Sequence, residues 1–110
     1  MLGIYTNKPE VLGEKVSGAL FKKGAFQFVL GGVEGKTMKP NPERVLKELE
    51  RLGINPADAV FVGDGDVDIF TGKNAGMIAC GVAWGFRGRE EVEEAGADVL
   101  ISHPRELLVL

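Results

Sequence analysis

The sequence predicts an α/β domain of Rossmann-like type: a three-layer α/β/α sandwich on a parallel sheet of about five strands. Three observations carry that expectation. Short apolar runs alternate with helical patterns along the whole chain, the runs are apolar at consecutive positions, and glycines gather where the runs end. Strands that are apolar on both faces and separated by helices belong to parallel sheets covered on both sides. A chain of 110 residues can bury the core of one such domain, so residues 1–110 are read as a single unit.

Taken in order, residues 2–6 (LGIYT) read as the first strand. Pro9 and Glu10 fit the first turn of a helix that carries Val11, Leu12, Val16, Ala19 and Leu20 on one side. Residues 26–32 (FQFVLGG) form a second strand that ends in glycines. The clearest helix spans 41–53, with Asn41 as N-cap, Pro42 at N1, Glu43 in the first turn and Gly53 as the stop. Its apolar face is Val45, Leu46, Leu49 and Leu52. Residues 59–64 (AVFVGD) are a third strand, 68–75 a short helix closed by Gly76, and 77–84 a fourth strand. A small solvated helix at 90–96, a last strand at 99–101 and a closing helix begun by PRELLVL complete the chain. There is no repeat, low-complexity stretch or linker.

Composition narrows the function classes. A net charge of −3 argues against nucleic acid or an anionic membrane as the main partner. No apolar run approaches a membrane span, and the N-terminus lacks a signal-peptide pattern. The single cysteine, Cys80, excludes an internal disulfide and suits a reducing, cytoplasmic setting; its surroundings, IACGVAW, mark it as a small core residue.

In a parallel sheet of this kind, ligands bind outside the carboxyl ends of the strands. Those ends carry Thr6 and Asn7, the loop GGVEGKTMK, then Gly63, Asp64 and Asp68, then Trp84, Gly85 and Phe86. The loop GDGDVD holds three carboxylates, Asp64, Asp66 and Asp68, that repel one another unless a cation joins them. A solvated turn is the plain alternative. A dinucleotide loop fails because Asp68 stands where the third glycine belongs. A calcium loop fails because, counting from Asp64, its sixth position is Ile69 and its twelfth Ala75. Magnesium fits better, since it takes one or two carboxylates, waters and a substrate phosphate. Asp64 would bind directly and Asp68 would reach the same ion or its water, with Asp66 turned away or capping the helix.

TNKPE, KPNPE, VGDGDVDIFTGKNAG and GVAWGFRGREEVEEAGAD, in this order and spacing, resemble the haloacid dehalogenase superfamily, most closely its phosphoglycolate phosphatase branch. The resemblance covers essentially the whole chain. It implies a Mg²⁺-dependent phosphomonoester hydrolase acting on a small phosphorylated metabolite. Thr6 resembles the family's second motif, whose hydroxyl bonds the transferring phosphoryl group, with the Asn7 backbone nearby. Lys39 resembles the third motif, a lysine that neutralises phosphoryl charge. Asp64 and Asp68 match the acidic pair that holds Mg²⁺. Gly65, where the family has Ser or Thr, and Gly72, where it often has Ala, depart from the pattern without removing a ligand.

The family's nucleophile motif, D-x-D-G-T on its first strand, has no counterpart in these residues. The resemblance therefore implies the C-terminal part of a core that lacks the first strand and the cap domain. Such a chain would be inactive through the family mechanism. That strand normally lies between the strands that here carry Thr6 and Asp64. The two should either close up or accept a strand from another chain, as a homodimer or with a complementing N-terminal segment. Asp66 is a poor replacement nucleophile, because three carboxylates in one pocket weaken it. His103 is expected at the start of the last helix, Trp84 and Phe86 in packing, and Arg87 and Arg89 in solvent. Two other classes stay in play. One is a non-catalytic fragment that binds phosphate or Mg²⁺ or self-assembles. The other is a phospho-acceptor receiver domain, disfavoured because Thr6 comes first in the chain.

Overall fold

The computed structural model describes residues 1–85 and 87–110. Strands and helices alternate as expected: β1 (Gly3–Pro9), α1 (Glu10–Leu20), β2 (Phe28–Gly32), α2 (Glu43–Leu52), β3 (Val60–Gly63), α3 (Asp66–Asn74), β4 (Ile78–Val82), α4 (Arg89–Glu94) and β5 (Val99–Ile101). Every ladder is parallel. Among the described residues two 3-10 helices join them, one at Pro56–Asp58 capped by the Asn55 side chain and one at Pro104–Val109, where a closing helix was expected. Among the described residues, no helix is long and apolar enough to cross a membrane.

The strands do not form one continuous sheet. Among the described residues β1 pairs only with β2, while β3, β4 and β5 form a second ladder in that order. The strands carrying Thr6 and Asp64 therefore have not closed up on each other. A shared layer joins the two sheets instead. Val45 and Leu49 of α2 pack with Phe61 of β3, Ala75 and Met77, and Tyr5 of β1 and Phe28 of β2 lie against the same cluster. The rings of Tyr5 and Phe61 meet edge to face with centroids 6.5 Å apart. One helix thus bridges both ladders, which lets them share a core without a common hydrogen-bond edge.

Strand alternation assigns the layers, since successive side chains point to opposite faces. Tyr5 faces α2, so Thr6 faces the other side, where a Cβ at Gly13 of α1 would lie 3.4 Å from the Thr6 methyl and 3.5 Å from Val29. Helix α1 therefore covers the face opposite α2. It does so with its small residues: Val16 is 50% and Leu20 72% exposed, and none of its residues is buried. Its apolar residues Val11, Leu12, Val16 and Leu20 point outward. On the α2 side, α3 and α4 complete the layer, with Ile69, Ala79 and Val92 fully buried together.

The ends of α2 follow ordinary capping chemistry. Pro42 occupies the N-cap position expected for Asn41, whose Oδ1 accepts from the Glu43 amide at 2.9 Å. Gly53 ends the helix in the left-handed region at φ 71°, which glycine adopts without a Cβ penalty.

Candidate functional site

The acidic loop lies where strand β3 stops and helix α3 begins. Asp66 is the first residue of α3, one position inside the N-cap Gly65, and its Oδ1 accepts from the adjacent Val67 amide at 2.7 Å, so it does not take the capping place open to it in the sequence. Asp68 Oδ2 accepts from the backbone amides of Asp64 at 3.2 Å and Gly65 at 3.3 Å. Those bonds fold the loop over the helix N-terminus, where negative charge is favoured. Glycine is required on both sides of this fold. A Cβ at Gly63 would collide with Cβ and Cγ of Asp68, and one at Gly85 with Cβ of Asp64.

Lys39 enters from the loop between β2 and α2, just before a cis peptide bond to Pro40. Its Nζ donates to Asp68 Oδ1 at 2.5 Å, and the two side chains are only 12% and 13% exposed. Tyr5 lies beneath this contact, with Lys39 Nζ 6.0 Å from its ring centroid. Burial pushes the Tyr5 phenol above its ordinary 10.0 against the lowering pull of Arg44, so Tyr5 is a neutral hydroxyl near pH 7.

Thr6 and Asn7 are the fourth and fifth of the seven residues of β1, so they lie inside a strand that runs further than the expected 2–6 and not beyond its end. Thr6 Oγ1 accepts from the Lys8 amide at 3.2 Å, which leaves its proton to be donated. Of the residues singled out in the sequence, Lys39, Asp68 and the Asp64 backbone are thus joined by direct bonds, whereas the Thr6 side chain faces α1, on the other side of its strand from Tyr5, over whose ring Lys39 lies. Among the described residues, no three His, Cys, Asp or Glu side chains converge on a metal position. The acidic pair is what the loop offers, and hard oxygen donors in that number suit a magnesium ion that keeps its waters.

The other residues fall outside this centre. Trp84 is half exposed in the turn after β4, and Phe86 lies outside the described residues. Arg87 passes by Gly65 and pairs with Glu91 at 3.6 Å, while Arg89 pairs with Glu93 at 3.0 Å. His103 caps the final 3-10 helix through Nδ1, which accepts from the Arg105 amide at 3.1 Å. Cys80 is fully buried, and burial pushes its thiol up from 9.0, which makes it unreactive. Two open surface grooves lie away from the acidic loop, one beside α1 at Phe21 and Phe26 and one at Arg44.

Sequence reasoning missed Glu10 and Arg44, which form an ion pair at 3.0 Å between α1 and α2. The available signal was an arginine next to Val45 on the apolar side of an otherwise regular amphipathic helix.

A model of the family described as haloacid dehalogenase-like hydrolase matches residues 1–82. Over 109 residues the chain is 37% identical to a phosphoglycolate phosphatase of Aquifex aeolicus, covering 99% of this chain and 50% of that protein. The phosphoglycolate phosphatase of Escherichia coli is 35% identical over 107 residues, covering 97% and 42% respectively. Among solved structures, a HAD-superfamily hydrolase of subfamily IA from Geobacter sulfurreducens superimposes with a TM-score of 0.80 at 29% identity, over 98% of this chain and 51% of that one. The chain thus spans about half the length of the relatives it matches.

Proposed function

The chain belongs to the haloacid dehalogenase-like hydrolase family, and on that premise we propose that Thr6, Asn7, Lys39, Asp64 and Asp68 are the phosphate- and Mg²⁺-binding part of a phosphomonoesterase site. The observation that carries this reading is the contact between Lys39 Nζ and Asp68 Oδ1. It brings a cation from the loop that follows one sheet onto the acidic loop of the other, and the two residues are 29 positions apart in the chain. Phosphoryl transfer is mostly positioning and charge neutralisation, and these are the groups it needs.

In this reading the Thr6 hydroxyl and the Asn7 amide donate to phosphoryl oxygens, and Lys39 offsets their charge. Asp64 is the direct Mg²⁺ ligand. Asp68, already engaged by Lys39 and two amides, acts through a metal-bound water. A bound Mg²⁺ would neutralise and orient the phosphoryl group. The attacking carboxylate comes from outside these residues, so they bind phosphate without turning it over. The substrate class is a small phosphorylated metabolite, supported by the phosphatases among the relatives.

A second component of the proposal concerns partners. β1 and β3 each pair on one side only among the described residues, and unpaired strand edges invite a further strand. A complementing segment, or a second copy, would insert there between the Thr6 and Asp64 strands.

Titration of the chain with inorganic phosphate in the presence of Mg²⁺ tests the site. Saturable binding is expected, lost in Asp64→Asn and Lys39→Met. Binding that survives both substitutions would overturn the assignment.

A further inference from the structure

Glu10 and Arg44 lie outside the set assigned to phosphate or metal, yet Arg44 is buried and Glu10 partly buried. Arg44 is 8% exposed. A guanidinium that deep is tolerated only when its donors are satisfied. Its Nη1 donates to the Gly31 carbonyl at 2.5 Å and the Thr37 carbonyl at 3.5 Å, and Nη2 donates to Glu10 Oε1 at 3.0 Å. The same Glu10 oxygen accepts from the Gly31 amide at 3.2 Å. One residue is therefore gripped from both sides, its N–H by Glu10 and its carbonyl by Arg44. Gly31 has no room for a side chain, because a Cβ would lie 2.5 Å from Glu10 Cα and 2.7 Å from Glu10 N.

The position of this grip in the chain gives it meaning. Glu10 opens α1 directly after β1, three residues beyond Asn7. Gly31 and Thr37 lie at the entry and in the middle of the segment that leads to Lys39. Arg44 also stacks 5.8 Å from the centroid of Tyr5, whose hydroxyl donates to the Thr37 carbonyl at 3.5 Å. We propose that Glu10 and Arg44 are a positioning pair: together they fix the Lys39 loop against the end of β1 that carries Thr6 and Asn7. The consequence for phosphate rests on the function proposed above, while the effect on Lys39 does not.

Two readouts separate the pair's role from general stability. A lysine ammonium held by a carboxylate exchanges slowly with water and gives its own ¹H–¹⁵N signal, which Lys39→Met would identify. Arg44→Met is expected to speed exchange of that signal about tenfold and to weaken inorganic phosphate binding about tenfold, the equivalent of one charge-assisted hydrogen bond. Arg44→Lys should recover only part of both, because a single ammonium cannot serve Gly31, Thr37 and Glu10 with a planar fork. Glu10→Gln keeps an acceptor for the Gly31 amide, so about a threefold change is expected from loss of charge assistance alone. Val45→Ala, one residue along and in the core, should lower Tm and leave both readouts at their native values. If the Arg44 and Glu10 variants lower Tm but leave both readouts unmoved, the pair is purely structural and the proposal fails. Should Arg44→Met not fold, Arg44→Lys and Glu10→Gln decide by the same criterion. If the native chain binds no phosphate while the Arg44 variants still release Lys39, the proposed function falls and the positioning role stands.

Discussion

Asp68 receives hydrogen bonds from three directions: Lys39 Nζ and the amides of Asp64 and Gly65. Such a carboxylate is fixed in place, and its fixation depends on the bare Cα of Gly63 beside it. Gly63→Ala, which adds one methyl far smaller than any ligand, is expected to cost about 1–3 kcal/mol through overpacking. Urea unfolding would measure that loss, and phosphate binding should fall with it because Asp68 must move. The acidic pair was legible in the sequence, since carboxylates at a strand end followed by a helix leave few chemistries open. The Lys39–Asp68 contact was not, because nothing local relates two residues that far apart. Arg44 was hidden for a different reason: buried arginines are rare, so a charged residue on a helix is ordinarily read as solvated.

At the scale of elements, the alternation of strands and helices was legible because each run carried its own period and its own stop. Strand β5 occupies Val99–Ile101, as the sequence indicated, and Gly53 ends α2 where a left-handed residue is needed. Helix α1 was legible as a helix but not in its orientation. Its apolar residues share one side, yet the helix packs through Gly13, which permits a closer approach to Thr6 and Val29 than any larger residue. Leu20→Lys is accordingly expected to change stability by less than about 0.5 kcal/mol, whereas Leu49→Ala, in the layer that joins the sheets, should cost about 2–5 kcal/mol. Thermal unfolding of the two variants side by side checks this contrast. The last 3-10 helix has a pH limit of its own. Amides of His103 at 2.8 Å and Ser102 at 2.6 Å donate to Glu106 and hold its carboxyl below the ordinary 4.5. Its stabilising effect is therefore complete above pH 4.5 and is lost as pH falls through the lowered folded value. The protection factors of the Ser102 and His103 amides, exchange rates taken relative to the unfolded chain at the same pH, should fall there.

Among the described residues, the molecule is two parallel ladders joined through the packing of α2 and the Lys39–Asp68 ion pair. Five parallel strands could be read from the sequence. Their division into two sheets could not be read from any strand by itself, because pairing is a relation between strands and β1 and β3 look alike as isolated apolar runs. In the proposed function, the donors of β1 and the acids after β3 would lie beside the unpaired edges of those two strands. A strand bearing a carboxylate at its end, inserted there, would lie beside both sets of groups.

The most direct measurement is Mg²⁺-dependent hydrolysis of p-nitrophenyl phosphate by this chain, alone and after addition of a separate segment bearing the D-x-D-G-T strand. The account predicts no turnover alone, and turnover on addition that Asp64→Asn abolishes. Hydrolysis by the chain alone, lost in Asp64→Asn, would contradict it, because the nucleophile would then lie within these 110 residues.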